Sequence, residues 1–177
     1  MSITIVDSKK IYSNDHASVI VDKLSVSNYE WEQVYIEKPY MDGVGVLPVD
    51  DKGIYLVSQY RHPIKKDLWQ IIMGTLDAGE SSNDAALREL REEGGITGAN
   101  LSQVGTMYAE PGISSQKTTI FIAKNLFFGD SDFDKTEINL KIKHFTFEEV
   151  GSMLLRNEIV CGFTLSTFFL CRKMILF

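Results

Sequence analysis

The sequence predicts an α+β domain, and three observations carry that prediction. Strand-type patterning fills most of the first 72 residues, a capped helix begins near residue 82, and two apolar helical segments close the chain after a second group of strands. With 177 residues, 44% hydrophobic and 24% charged, the chain has material for one domain with a real core, or one domain with a small appendage.

The elements follow in order. "ASVIVDKLSV" and "EWEQVYIEK" are rich in β-branched and aromatic residues and read as strands. "EKPYMDG" then marks the one plausible boundary, near residue 40, between an N-terminal β segment (residues 1–40) and the main domain (residues 41–177). "GVGVLPV" and "GIYLVSQYR" are two strands, and "VDDKG" (Val49 to Gly53) between them has turn chemistry that predicts a hairpin. "DLWQIIM" reads as one apolar strand. Beyond residue 96, "LSQVGTMYAE", "KTTIFIAKNLFF" and "INLKIKHFT" read as strands, and "FEEVGSMLLRN" and "TLSTFFLCRKM" as closing helices. No repeat or low-complexity run interrupts this order.

Charge and composition exclude several functions. A net charge of −6 does not suit a chain built to grip a nucleic-acid backbone, so no nucleic-acid partner is expected. The start, "MSITIVDSKK", shows no signal-peptide pattern. The C-terminal "FTLSTFFLCRKMILF" is too short to span a bilayer and is broken by Arg172 and Lys173, so no membrane partner is expected. Cys161 and Cys171 form neither a disulfide framework nor a metal-ligand spacing. They read as reduced, buried thiols of a cytoplasmic protein.

The informative stretch is "GTLDAGESSNDAALRELREEGGI", Gly74 to Ile96. Ser81 or Ser82 suits the N-cap of a helix, with Asn83 and Asp84 in its first turn. "AALRELREEGG" supplies helix formers and two glycines to stop them. At about 100° per residue, Glu89, Glu92 and Glu93 fall on one face, while Ala86, Leu87 and Leu90 fall on a neighbouring face that can pack on a sheet. A solvated acidic face would explain the carboxylates on an ordinary surface helix. Glycines bracket this helix, however, and an apolar strand leads into it, which implies a shaped loop. Hard divalent cations take oxygen ligands, and bound cations would relieve the repulsion among three carboxylates.

These residues carry a resemblance. The Nudix signature is a glycine, five residues, a glutamate, seven residues, Arg-Glu, an aliphatic, any residue, Glu-Glu, any residue, glycine and an aliphatic. Gly74, Glu80, Arg88, Glu89, Leu90, Glu92, Glu93, Gly95 and Ile96 fill every specified position. The chain resembles a Nudix hydrolase, which implies a Nudix-type α/β/α sandwich with a mixed β-sheet and hydrolysis of a nucleoside diphosphate linked to another group. The resemblance further implies Mg²⁺ or Mn²⁺ held directly by Glu89 and Glu93, with Glu92 a ligand or near neighbour and the main-chain carbonyl of Met73 a further ligand. Gly74, Glu80 and Arg88 would then be structural supports of the box, with Glu80 and Arg88 pairing to hold loop to helix.

A narrower likeness runs from about Gly43 to the C-terminus. "GIYLVSQYRHP", "LWQIIMGTLDAGE" and "YAEPGISSQKTTIFIAKNL" look like the ADP-ribose pyrophosphatase group, in which a proline follows the box where Pro111 stands here. It implies a nucleotide-sugar substrate, ADP-ribose first, with Arg61, Gln70, Pro111 and Gly112 at the substrate. It also implies a homodimer built on the N-terminal strands, and a water-activating carboxylate on the loop "FGDSDFDKTEINLKIKHF", where Glu137 is the candidate and Glu92 the alternative. His62, beside Pro63, reads as a turn residue. The chain departs from the group at Gln70 and Gln116, which stand where carboxylates are usual, and at Met73. GDP-mannose or another sugar nucleotide, a nucleoside triphosphate or RNA end, and a non-catalytic nucleotide-sugar sensor are the competing readings.

Overall fold

A computed structural model describes residues 2–38, 42–129 and 140–172. Ten strands and three helices occur among them: β1 (Thr4–Ser13), β2 (Ser18–Val26), β3 (Tyr29–Glu37), β4 (Gly43–Pro48), β5 (Gly53–Arg61), β6 (Lys66–Gln70), β7 (Ile72–Thr75), α1 (Ser82–Gly94), β8 (Ile96–Tyr108), β9 (Lys117–Phe128), β10 (Lys141–Thr146), α2 (Phe147–Leu155) and α3 (Gly162–Cys171). A short 3₁₀ turn, His62–Ile64, links β5 to β6 and contains His62 as expected.

Three sheets form, with strand orders β1-β2-β3, β10-β5-β6 and β7-β4-β9-β8. β4 runs parallel to β9 and antiparallel to β7, so the four-stranded sheet is mixed. β4 is buried along its whole length, as a strand covered on both faces must be. Its alternation divides the core in two. Val44 and Val46 join Val57, Ile72, Ala85, Ala86, Leu90, Ile96, Phe121 and Ala123 against α1. Leu47 joins Ile54, Leu56, Ile71, Ile122, Phe145, Val150, Met153 and Phe168 against α2 and α3. Helix layers on both sides of the strands make the α/β/α sandwich that the sequence implied. Among the described residues no helix is long and apolar enough to cross a membrane.

Several expectations are corrected. β4 and β5 are not a hairpin, because they belong to different sheets and share only the isolated bridge Val49–Ile54. The turn chemistry of Asp50 is real: its Oδ1 accepts from the N–H groups of Lys52 and Gly53. The turn hands the chain from one sheet to the next. "DLWQIIM" is likewise two strands, broken at Ile71, with β6 pairing β5 and β7 pairing β4. β1, which the strand reading omitted, extends the N-terminal sheet. Leu87 is 38% exposed and does not pack on the sheet; Ala85 takes that place. The boundary near residue 40 falls on residues 39–41, which lie outside the described residues.

Breaking a strand inside the core leaves a backbone donor to satisfy. The N–H of Ile71 donates to Oγ1 of Thr164 on α3 at 3.1 Å, and both residues are fully buried. This bond ties the sheet break to the C-terminal helix. Thr164→Val keeps the shape and strands that N–H, so unfolding free energy should fall by about 1–3 kcal/mol, read as a Tm lower by several degrees. An unchanged Tm would show that the break is satisfied in another way.

Candidate active site

The site is built on α1 and the strand edge beside it. Ser81 caps the helix, its hydroxyl accepting from the Asp84 N–H at 3.2 Å. Gly95 closes it at φ +59°, a left-handed cap that glycine adopts without a Cβ penalty. Ala85, Ala86 and Leu90 press one face into the core, which fixes the rotation of the helix. Glu89 and Glu93, one turn apart, are then buried against β7 at 7% and 2% exposure, while Glu92 is half-buried.

Two contacts hold the helix close to β7. The Met73 N–H donates to Oε2 of Glu93 at 3.2 Å. A strand residue carries its N–H and C=O on one edge, so the Met73 carbonyl lies on the strand edge that meets α1. At Gly74 the approach is closer still, for a Cβ there would collide with the Glu89 carboxylate. Only glycine fits.

Arg88 joins the box together. Its Nε and Nη2 donate to the two oxygens of Glu80 at 3.0 and 2.9 Å, and Nη2 also donates to the Thr75 carbonyl at 2.9 Å. Nη1 reaches Glu89 Oε1 at 2.7 Å and Glu92 Oε2 at 3.0 Å. The arginine therefore supplies part of the charge compensation that the sequence reading had left wholly to bound cations. Hydrogen bonding from Arg88 holds the Glu80 carboxyl below its ordinary value, and the carboxylates hold the Arg88 guanidinium above its own.

The donors around this face are all oxygens, the chemistry a hard cation prefers. Glu89, Glu93 and the Met73 carbonyl have the donor chemistry for such an ion. Glu92 is drawn to Arg88, and among the described residues no three Asp, Glu, His or Cys side chains are grouped so as to hold a metal. A cation would have to draw carboxylate oxygens away from Arg88.

The other candidate residues have partners of their own. Arg61 ends β5, and its Nε donates to Oε1 of the fully buried Gln70 at 3.0 Å. Gln70 thus meets the surface only through its partners. Pro111 and Gly112 sit on an exposed turn braced by the N-terminal sheet: Gln33 Nε2 donates to the Gly112 carbonyl at 2.8 Å, and the Ile36 N–H to the Ile113 carbonyl at 2.8 Å. Sequence reading missed Gln33, which carries no motif to flag it. Glu137, with Asp130, Asp132 and Asp134, lies outside the described residues.

Comparison with known proteins agrees with this geometry. The NUDIX domain model matches residues 39–158. An ADP-ribose pyrophosphatase of Bacillus subtilis is 28% identical over 154 residues, covering 85% of this chain and 82% of its own length. One from Mycobacterium tuberculosis is 32% identical over 124 residues, covering 68% of this chain and 60% of its own. A crystal structure of an ADP compounds hydrolase superposes with a TM-score of 0.85 at 23% identity, over 98% of this chain and 94% of that one, a likeness of fold. The chain belongs to the Nudix family and is a Nudix hydrolase, with ADP-ribose pyrophosphatases among its relatives. Enzymes of this family generally use divalent metals.

The Arg88 pairing has a pH signature. Glu80 has a folded value below its ordinary 4.5, so the linked stability is present above about pH 4.5 and is lost as pH falls through the folded value. Glu80→Gln removes it. Wild type should exceed the variant in unfolding free energy at pH 7, and the gap should shrink at pH 3. A gap independent of pH would assign the effect to packing.

Proposed function

We propose that this protein hydrolyses the pyrophosphate bond of a nucleoside diphosphate sugar in a divalent-metal-dependent reaction, ADP-ribose being the first candidate, to give AMP and ribose 5-phosphate. The observation that carries the reading is the pair of buried carboxylates, Glu89 and Glu93, set one turn apart against the Met73–Gly74 strand edge. Buried carboxylates are costly unless they serve as ligands or are paired. The relatives named ADP-ribose pyrophosphatase favour this substrate class.

In this reading Glu89, Glu93 and the Met73 carbonyl hold Mg²⁺ or Mn²⁺, with Glu92 alongside. The cation would supply charge neutralisation at the diphosphate and a water of lowered pKa. Arg61 binds a phosphate oxygen, Pro111 and Gly112 shape the wall beside the sugar, and the Gly74 backbone lets the substrate-facing carboxylates sit close to the strand. Glu92 or Glu137 takes the proton from the attacking water. Arg88 and Glu80 keep the loop on the helix.

The test is phosphate release, coupled to a phosphatase, across ADP-ribose, GDP-mannose, UDP-glucose, NADH and diadenosine polyphosphates. ADP-ribose should be the best substrate, with activity abolished by EDTA. Glu93→Gln should lower turnover by about 10²-fold without changing the circular dichroism spectrum. Of Glu92→Gln and Glu137→Gln, the one that removes the base should lose kcat and keep KM. Wild-type turnover in Glu93→Gln would make Glu89, Glu92 and Glu93 a structural cluster compensated by Arg88 and Met73, with no catalytic cation.

The N-terminal sheet supports a homodimer in the same reading. β1 is exposed at every position, and Ile5, Val6, Ile11 and Tyr12 along it are all open to solvent. An edge strand of this kind, paired to β2 on one side only and apolar on its surface, invites a partner. Light scattering at micromolar concentration should give the dimer mass, with an interface above about 2,000 Å². A monomer mass would refute the assembly and leave the chemistry standing.

A further inference from the structure

We infer that Gln70 is a positioning residue: its neutral amide holds Arg61 by Nε and leaves the guanidinium's full charge and its Nη1/Nη2 edge to grip a diphosphate. The inference rests on the diphosphate substrate class proposed above, and deepens it.

The register of the sheet sets up the contact. Val57 faces Gln70 across β5 and β6, and Arg61 faces Lys66, so Val57, Gln59 and Arg61 share a face with Lys66, Leu68 and Gln70. Val57 belongs to the buried cluster that also contains Ala85, Ala86 and Leu90 of α1, so this face of β5 and β6 turns toward the core layer that α1 covers. The Arg61 side chain folds back along that face to reach Gln70 at 3.0 Å. Gln70 lies three residues before Met73, at most about 10 Å away even if the chain between them were fully extended.

The hydrogen bonds run one way. An arginine Nε–H only donates, so Gln70 must present its carbonyl oxygen there. Its amino group, turned the other way, donates to Oε1 of Gln59 at 3.2 Å. The donor-only Arg61 Nε–H thereby fixes which end of the Gln70 amide faces it, and Gln59 accepts from the other end, so that Gln70 is held on both sides and holds Arg61 in turn. Among the described residues the Arg61 guanidinium makes no ion pair and no other hydrogen bond. A glutamate in place of Gln70 would hold the same nitrogen and cancel the charge. The amide holds without cancelling. The remaining Nη1/Nη2 edge is the planar fork that matches two oxygens of a phosphate.

The test is a binding cycle with Mg²⁺-pyrophosphate as the probe, measured by calorimetry on the full chain, together with ADP-ribose kinetics. Gln70→Met keeps the buried volume and removes the acceptor, so the Kd for pyrophosphate should rise about fivefold while Arg61 is present, as one charge-assisted contact is loosened. In the Arg61→Gln background the same change should have no effect, since Gln70 acts only through Arg61. Gln70→Glu should weaken binding about tenfold and flatten its salt dependence. Should the buried glutamate prevent folding, the methionine cycle decides alone. With ADP-ribose, Gln70→Met should raise KM more than it lowers kcat.

Equal weakening by Gln70→Met in both backgrounds, or none in either, would overturn the inference. So would a loss confined to kcat. If no sugar nucleotide is hydrolysed but the pyrophosphate cycle shows the coupling, the substrate proposal fails and the role of Gln70 stands.

Discussion

One arginine balances the centre of this protein. Arg88 sits 22% exposed between a loop carboxylate, Glu80, and two helix carboxylates, Glu89 and Glu92. Like charges on one helix face repel and cost stability, and burial in lower dielectric raises that cost. The guanidinium has five donors in a fixed plane, enough to bond three carboxylates and the Thr75 carbonyl at once. A lysine would offer a point charge and no such fork. The loop before α1, the helix and the end of β7 are therefore one electrostatic unit.

The rest of the fold delivers that unit to its place. The break at Ile71 lets one chain segment serve two sheets, first pairing β5 and then β4. The first half carries Gln70 and with it the guanidinium of Arg61. The second half carries Met73 and Gly74 to the carboxylates. A continuous strand would have kept both halves in one sheet. Thr164 makes the break tolerable from the far layer, and so α3 contributes to the site without approaching it.

Much of the site was legible in the sequence because its determinants are local. The Ser81 cap, the glycine stop and the common face of Glu89 and Glu93 follow from helical periodicity within one turn or two. What the sequence concealed was pairing at a distance. The turn at Asp50 has hairpin chemistry whether or not its flanking strands pair, so local signals could not assign β4 and β5 to separate sheets. Ala85 and Leu87 flank Ala86 about 200° apart on the helix, and which flank is buried depends on how α1 meets the sheet, which packing decides and periodicity does not. Gln70 stood out as a departure from the family carboxylate, yet its partners, Gln59 and Arg61, emerge only once β5 and β6 are in register.

The central claim is that Glu89 and Glu93 form a cation site that competes with Arg88 for carboxylate oxygens. It is tested most directly by thermal unfolding against Mg²⁺ concentration, with no substrate present. The account predicts that Tm falls in EDTA and that the stabilisation then grows with the logarithm of Mg²⁺ concentration once the site is filling. The same titration should leave the Tm of Glu93→Gln nearly flat. Equal stabilisation of both proteins, or a wild-type Tm indifferent to EDTA and to millimolar Mg²⁺, would contradict it.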